Sequence, residues 1–238
     1  MTAQFIGVGV GPGDPELITL KAARLIQQAD VISYIGNAAG DSQARDIALQ
    51  VLAEVKAGQI ELPVVMPMFE DRSAANLAYD QAAVDIKAAI DSGKQVVFLC
   101  EGDPLFFGSF AYLLERLQDS VSTEVVPGIS SVHAAASALQ LPLTMLKESF
   151  AVVSGRHNSE FLMQTLTQYD SVVIMKAGRS REKILAALKQ TKRSHEAKYL
   201  EYISREQQHI ETDVSILEGE AGPYFSLFVV TKALRESR

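Results

Sequence analysis

The chain has 238 residues, of which 47% are hydrophobic, and it carries a net charge of −7. That is enough apolar sequence to bury one large core or two small ones, while the acidic balance disfavours a broad nucleic-acid surface and predicts no nucleic-acid partner. No apolar run approaches the roughly 20 residues a membrane helix needs, and the first residues lack the basic and apolar zones of a signal peptide, so the expected compartment is the cytoplasm. A single cysteine, Cys100, excludes an intramolecular disulfide and a cysteine zinc site. None of the four histidines shows metal-ligand spacing, so no metal is expected.

The first predicted strand, Phe5–Val10, runs into a glycine-rich turn, GVGVGPGDPELITL, from Gly7 to Leu20. A dinucleotide fingerprint needs a third glycine at G-x-G-x-x-G spacing. From Gly7, Gly9 or Gly11 that position falls on Pro12, Asp14 or Glu16. No Gly-Lys-Ser/Thr follows either, which excludes a phosphate loop of the Walker type. The turn allows close backbone approach, and a cationic or neutral adenosine ligand suits it better than a pyrophosphate. Asp14 with Pro15 behind it predicts a helix start, with Ile18, Ala22, Leu25 and Ala29 on one stripe.

Strands then follow at Val31–Ile35, Ile60–Val65, Val96–Cys100 and Glu124–Val126, separated by helices at Asp41–Lys56, Ser73–Asp91, Ser109–Gln118 and Ile129–Leu139. The alternation predicts an α/β domain with a parallel-rich sheet over residues 1–140. Pro142 and the polar stretch Gln140–Glu148 mark a boundary. Residues 141–238 are expected to form a second α/β lobe with a mixed sheet: strands Phe150–Ser154, Ser171–Met175, Tyr199–Ile203 and Tyr224–Thr231, and helices near Asn158–Leu166 and Arg179–Thr191. An interlobe cleft is the expected site.

Two further strand ends carry glycine. Glu101-Gly102-Asp103-Pro104 follows strand Val96–Cys100, and Asp103 can either receive hydrogen bonds from a ligand or close an Asx turn. Pro127-Gly128-Ile129-Ser130-Ser131 follows Glu124–Val126, with serines that can cap a helix or reach a ligand. Three such turns on one sheet can face a common crevice at the strand C-termini. Arg156 and His157 follow the strand Phe150–Ser154 and can meet an anion. Lys176-Ala177-Gly178-Arg179 closes another strand and either lines the site or caps a helix.

Taken in order, GVGVGPGDPELITLKA, LCEGDPLFFGSFAYL, VVPGISSVHAAA, SVVIMKAG and GPYFSL resemble the tetrapyrrole (corrin/porphyrin) methyltransferase family along the whole chain. The resemblance implies a two-lobed α/β fold, S-adenosyl-L-methionine as methyl donor, a tetrapyrrole substrate and a homodimer. By position it implies cofactor contacts at Pro12, Gly102, Asp103, Phe106, Ser130, Ser131, Met175, Ile203 and Tyr224, and names no proton acceptor. The stretches from Asp41 and Pro67 and the terminal PYFSL are most similar to the branch that methylates precorrin-2 at C20. The polycarboxylate substrate gives Arg156, and with it Arg179 and Lys176, a guiding role. Cobalt-factor II or another tetrapyrrole carbon remains open as the target, as do the family's rRNA ribose methyltransferase and diphthine synthase branches and a non-enzymatic adenosine-ligand sensor.

Overall fold

In the computed structural model of the chain the residues described are 3–66 and 72–232, with no account of the Arg72 side chain. The stretch Pro67–Asp71, part of the family resemblance, therefore lies outside the described residues. The chain divides into two compact units, Met1–Ser131 and Val132–Arg238.

The first unit holds strands β1 (Phe5–Gly9), β2 (Val31–Gly36), β3 (Ile60–Val65), β4 (Val96–Cys100) and β5 (Thr123–Val126) in the order β3-β2-β4-β1-β5. All four pairings are parallel. The central strands β1 and β4 are buried along their whole length, as expected for strands covered on both faces, and Pro63 sits in the edge strand β3, where a missing donor is tolerated. Helices α1 (Leu20–Gln28) and α2 (Gln43–Ile47) supply Ala22, Leu25, Ile26, Ala44 and Ile47 to one face, against Ile6, Val8, Ile32 and Leu99, and α3 (Leu49–Leu52) adds the partly buried Val51 and Leu52. Helices α4 (Arg72–Asp91) and α5 (Phe110–Leu117) cover the other, where Phe110 stacks on Phe5 at 5.1 Å between centroids.

Two expected helices start or run differently. Asp14 Oδ1 accepts from Glu16 N at 2.8 Å, only two residues on, and so closes a 3-10 turn over Pro15–Leu17. Ile18 is extended, and Thr19 caps α1 by accepting from Ala22 N. The helix expected over Asp41–Lys56 breaks at Ala48, whose ψ is 0°, into α2 and α3.

The second unit contains α6 (Ser131–Leu139) but for its first residue, β6 (Phe150–Ser154), α7 (Ser159–Gln168), β7 (Ser171–Met175), α8 (Arg181–Gln190), β8 (Ala197–Glu201), β9 (His209–Glu211) and β10 (Ser226–Val230). Its sheet runs β6-β7-β10-β8-β9, with β6 and β7 parallel and the remaining pairs antiparallel. It is mixed, as expected. Helices α7 and α8 pack on Ile174, Tyr199 and Phe228, and α6 on Val173, Leu200 and Leu227. The short β9 was not anticipated, because three residues carry too little periodicity. Strand β10 begins two residues after the expected Tyr224, since Ser226 Oγ donates to Pro223 O at 2.8 Å and turns the entering chain.

Asp30, at the start of β2, accepts from Gln95 N at 2.8 Å and from Lys56 Nζ at 2.5 Å, and the Gln95 amide followed by Lys56 lowers its pKa. A lowered folded-state pKa adds stability that is present above the ordinary carboxylate value and is lost as pH falls through the folded one. Asp30→Asn should therefore lower Tm at pH 7 and flatten the acid limb of a Tm-against-pH curve. Phe110→Ala, which empties a fully buried site between Phe5 and Phe98, should cost about 3–5 kcal/mol in denaturant unfolding.

Candidate functional site

Adjacent parallel strands β4, β1 and β5 end at one edge of the first sheet, and their three turns touch there through backbone. Gly11 and Gly102 form a bridge: Gly102 N donates to Gly11 O at 2.8 Å, and Gly11 N to Gly102 O at 3.4 Å. A Cβ on Gly9 would lie 2.5 Å from Gly128 Cα, a separation real Cβ atoms do not tolerate. Gly102 has φ +64°, in the left-handed region that favours glycine. The glycines thus let three main chains meet, and Pro12 and Ser130 are buried against the same edge.

Asp103 divides its carboxylate between two of the turns. Oδ1 accepts from Leu105 N at 2.9 Å, which is the Asx turn, and Oδ2 accepts from Gly128 N at 3.1 Å, which ties the β4 turn to the β5 turn. Phe106 follows at 36% exposure, edge-on to Phe107, itself left-handed at φ +57°. Below them Cys100 is buried in β4, and burial pushes its thiol pKa well above the ordinary value. It is a packing residue, as its strand position predicts.

The second unit gathers the other candidates at one edge of its own sheet. The C-termini of β6, β7 and β8 and the N-terminus of β10 all lie there, given the parallel β6–β7 and antiparallel β7–β10 and β10–β8 pairings. Met175 ends β7. Arg156 sits exposed in the turn after β6, where Gly155 N donates to Met175 O at 2.7 Å. Gly178 and Gly222 meet backbone to backbone, Gly222 N donating to Gly178 O at 3.0 Å, which brings the segment carrying Tyr224 alongside the β7 turn. Tyr224 is 67% exposed, whereas the Ile203 side chain is buried in the apolar cluster beneath α6, so what Ile203 can offer a ligand is its main chain. His157 stacks on Phe161 at 4.1 Å, and its carbonyl accepts from Lys183 Nζ, which places it in local packing.

Three non-glycine residues at this edge hold left-handed φ: Lys176 at +55°, Tyr202 at +49° and Ser204 at +63°. Such conformations cost of order 1–3 kcal/mol each and persist where surrounding structure imposes them, with a tendency to cluster at working sites. Sequence reasoning missed Tyr202 and Ser204, because nothing in a lysine, tyrosine or serine signals the strain. Burial lowers the Lys176 pKa, and the field of Arg156 lowers it further.

The first-unit edge sets the Asp103 carboxylate among closely packed main chains, and it is not built of the basic side chains that grip a pyrophosphate.

A family model described as Tetrapyrrole (Corrin/Porphyrin) Methylases matches residues 4–216. The cobalamin biosynthesis protein CobIJ of Mycobacterium bovis is 35% identical over 239 residues, covering 97% of this chain and 46% of that protein, so the chain spans about half the length of this curated relative. The precorrin-2 C(20)-methyltransferase of a Sinorhizobium species is 34% identical over 235 residues, 95% of this chain and 94% of that protein. Among solved structures, the uroporphyrin-III C-methyl transferase of Thermus thermophilus, complexed with S-adenyl homocysteine, aligns with a TM-score of 0.66 and 26% identity over 96% of this chain and 97% of that one.

Asp103→Ala removes both acceptors and leaves the Leu105 and Gly128 amides without their side-chain partner, a loss of about 1–3 kcal/mol where such groups are buried. Titration calorimetry should show S-adenosylhomocysteine binding weakened about tenfold or more by the variant. Unchanged affinity would confine Asp103 to closing its own turn.

Proposed function

The chain belongs to the tetrapyrrole (corrin/porphyrin) methylase family, and from that premise we propose that it transfers the methyl group of S-adenosyl-L-methionine to C20 of precorrin-2, giving precorrin-3A in cobalamin biosynthesis. The observation that carries the substrate is the 34% identity, over nearly the full length of both chains, to a precorrin-2 C(20)-methyltransferase. The T. thermophilus neighbour complexed with S-adenyl homocysteine supports the cofactor, and the Asp103 carboxylate at the first-unit edge suits a cation.

By the resemblance, the proposed cofactor contacts are Pro12, Gly102, Asp103, Phe106, Ser130, Ser131, Met175, Tyr224 and the main chain at Ile203. When bound, S-adenosyl-L-methionine supplies a methyl group on a sulfonium, an already activated leaving group, so the protein needs no nucleophile of its own. The residues act by placement. Backbone carbonyls and the Asp103 carboxylate favour a cation, while the fixed turns spend the orientational entropy of the encounter before the reaction begins. Arg156, exposed at the second edge, suits the peripheral carboxylates of a tetrapyrrole, which its planar guanidinium can grip in pairs. No described helix is long and apolar enough to cross a membrane. The homodimer and the cytoplasmic location implied by the resemblance belong to the same proposal.

Purified protein should bind S-adenosylhomocysteine and transfer labelled methyl to precorrin-2. If protein that binds S-adenosylhomocysteine transfers nothing to precorrin-2 or to cobalt-factor II, the substrate is wrong, and transfer to RNA or to a diphthamide precursor would move the chain to another branch. Arg156→Ala should raise the tetrapyrrole KM severalfold and leave the affinity for S-adenosylhomocysteine unchanged. A tetrapyrrole KM equal to that of the parent protein would remove Arg156 from the substrate site.

A further inference from the structure

The strap that enters β10, residues 217–225, reads LEGEAGPYF. Its two glycines make the backbone permissive, so a single shape costs conformational entropy and has to be imposed by contacts from elsewhere in the fold. Tyr224, one of the proposed cofactor contacts, rides on this strap.

The strap is pinned at its entry, its middle and its exit. At the entry, Arg181 Nε donates to Glu220 O at 2.6 Å. In the middle, Gly222 N donates to Gly178 O at 3.0 Å, and Gly222 lies directly on Tyr199: a Cβ there would stand 2.1 Å from the Tyr199 hydroxyl and 3.3 Å from Arg181 Nη1. At the exit, Tyr202 N donates to Phe225 O at 2.9 Å, and the Arg205 guanidinium lies 4.0 Å from the Phe225 ring centroid. Tyr224 is thus held through the main chain on both sides while it stays 67% exposed. A side chain presented outward from a fixed backbone is what a preorganised ligand contact requires.

The entry pin runs against local preference. Arg181 opens α8, where the helix macrodipole disfavours a cation, and its side chain is only 14% exposed. Compensation comes from β8. Tyr199 and Glu201 are two residues apart, and so on one face of the strand. The Arg181 guanidinium lies 5.7 Å from the Tyr199 ring centroid, and its Nη1 stands 3.9 Å from Glu201 Oε1. The Tyr199 hydroxyl is fully buried with Ser226, Glu201 and Arg181 around it, yet among the described residues none meets it in hydrogen-bond geometry. A buried hydroxyl without a partner costs stability. What it contributes here is bulk, which limits how deeply the strap can sink.

We propose that Arg181, seated on Tyr199 and Glu201, is a positioning residue for methyl transfer: it holds the strap at the depth that sets Tyr224 against the cofactor. The inference rests on the methyl-transfer reading above. Arg181 acts through the main chain, by way of the Glu220 carbonyl, and touches neither substrate nor cofactor.

Removing Arg181 alone would strand the buried Glu201 carboxylate, so the informative variant is Arg181→Met with Glu201→Gln. Loss of positioning should raise the S-adenosylhomocysteine Kd and the S-adenosyl-L-methionine KM about tenfold or more. The tetrapyrrole KM should stay within about twofold, whereas a merely weakened fold would lower the active fraction and leave both KM values alone. Arg181→Lys, which keeps the charge and one donor, should recover part of the cofactor affinity. A second pair needs no change of charge. Gly222 does not hold a left-handed φ, so Gly222→Ala adds only the collision with the Tyr199 hydroxyl. It should weaken S-adenosylhomocysteine binding, and Tyr199→Phe in the same chain should restore it by removing that hydroxyl. A readout independent of binding is the fluorescence anisotropy decay of Ala221→Trp, an exposed strap position in a chain with no tryptophan. Arg181→Met with Glu201→Gln should add a fast local motion that the Ala221→Trp parent lacks.

Parental S-adenosylhomocysteine affinity in the charge-free variant, unchanged anisotropy decay, or a Gly222→Ala defect that Tyr199→Phe does not relieve would each overturn the proposal and leave the methyl-transfer reading standing. Should the charge-free variant fail to fold, the Gly222 pair decides. A parent protein that methylates neither precorrin-2 nor cobalt-factor II would overturn both.

Discussion

Three main chains in contact, with no side chain between them, set the geometry of the first unit. The turns after β1, β4 and β5 meet at Gly9, Gly102 and Gly128, so closely that a methyl group at the first or the last would collide with backbone. Everything at that edge follows from this contact. The parallel order β4-β1-β5 puts the three strand ends side by side, the glycines let the turns close, and Asp103 locks the β4 turn onto the β5 turn through Gly128 N. A site made largely of backbone cannot relax to fit a poor ligand without disturbing the sheet that carries it. That edge is therefore rigid.

The second unit solves a different problem by different means. Its edge is assembled from strands of both directions, so turns entering β10 and leaving β6, β7 and β8 converge there. Among the described residues, one contact there, Gly178 with Gly222, is glycine on glycine. Elsewhere the tight geometry falls on Lys176, Tyr202 and Ser204, residues that retain side chains while adopting a glycine-like backbone. The energy stored there is tolerated because the apolar layers on both sheet faces hold the strands in place. Rigidity without chemistry characterises the first edge, and side chains under strain the second.

An acidic composition does not prevent cations from standing together at one edge, because the charges are local. Some of the positive charge is committed within the fold: Arg45 to Glu61, Lys56 to Asp30, Arg193 to Glu196 and to main-chain carbonyls in the last turn of α7 and just after it. Arg156 stands at the second edge beside Lys176. The net charge of −7 describes the whole surface and says little about a few residues at strand ends.

Most of the architecture could be read in the sequence, since buried parallel strands such as FIGVG and VVFLC are continuous apolar runs and the helices between them keep a 3.6-residue period. The failed phosphate spacing after Gly7 was equally visible. The break of the second helix at Ala48, the capping of α1 by Thr19 instead of Asp14 and the entry into β10 were not, because each turns on one hydrogen bond or one dihedral angle that either of two local patterns could satisfy. The second bond of the Asp103 carboxylate was not legible either: an Asx turn is written locally, but the bond to Gly128 spans 25 residues. The sequence by itself determined which segments are strands and helices and which strand ends carry glycine, because periodicity and glycine content are local properties. Only the tertiary structure decided that the turns meet, that Ile203 turns its side chain into the core, and that a lysine at the end of β7 sits half-buried beside an arginine under backbone strain. Those facts depend on distances between residues far apart in the chain, and those distances are set by the packing of the sheets.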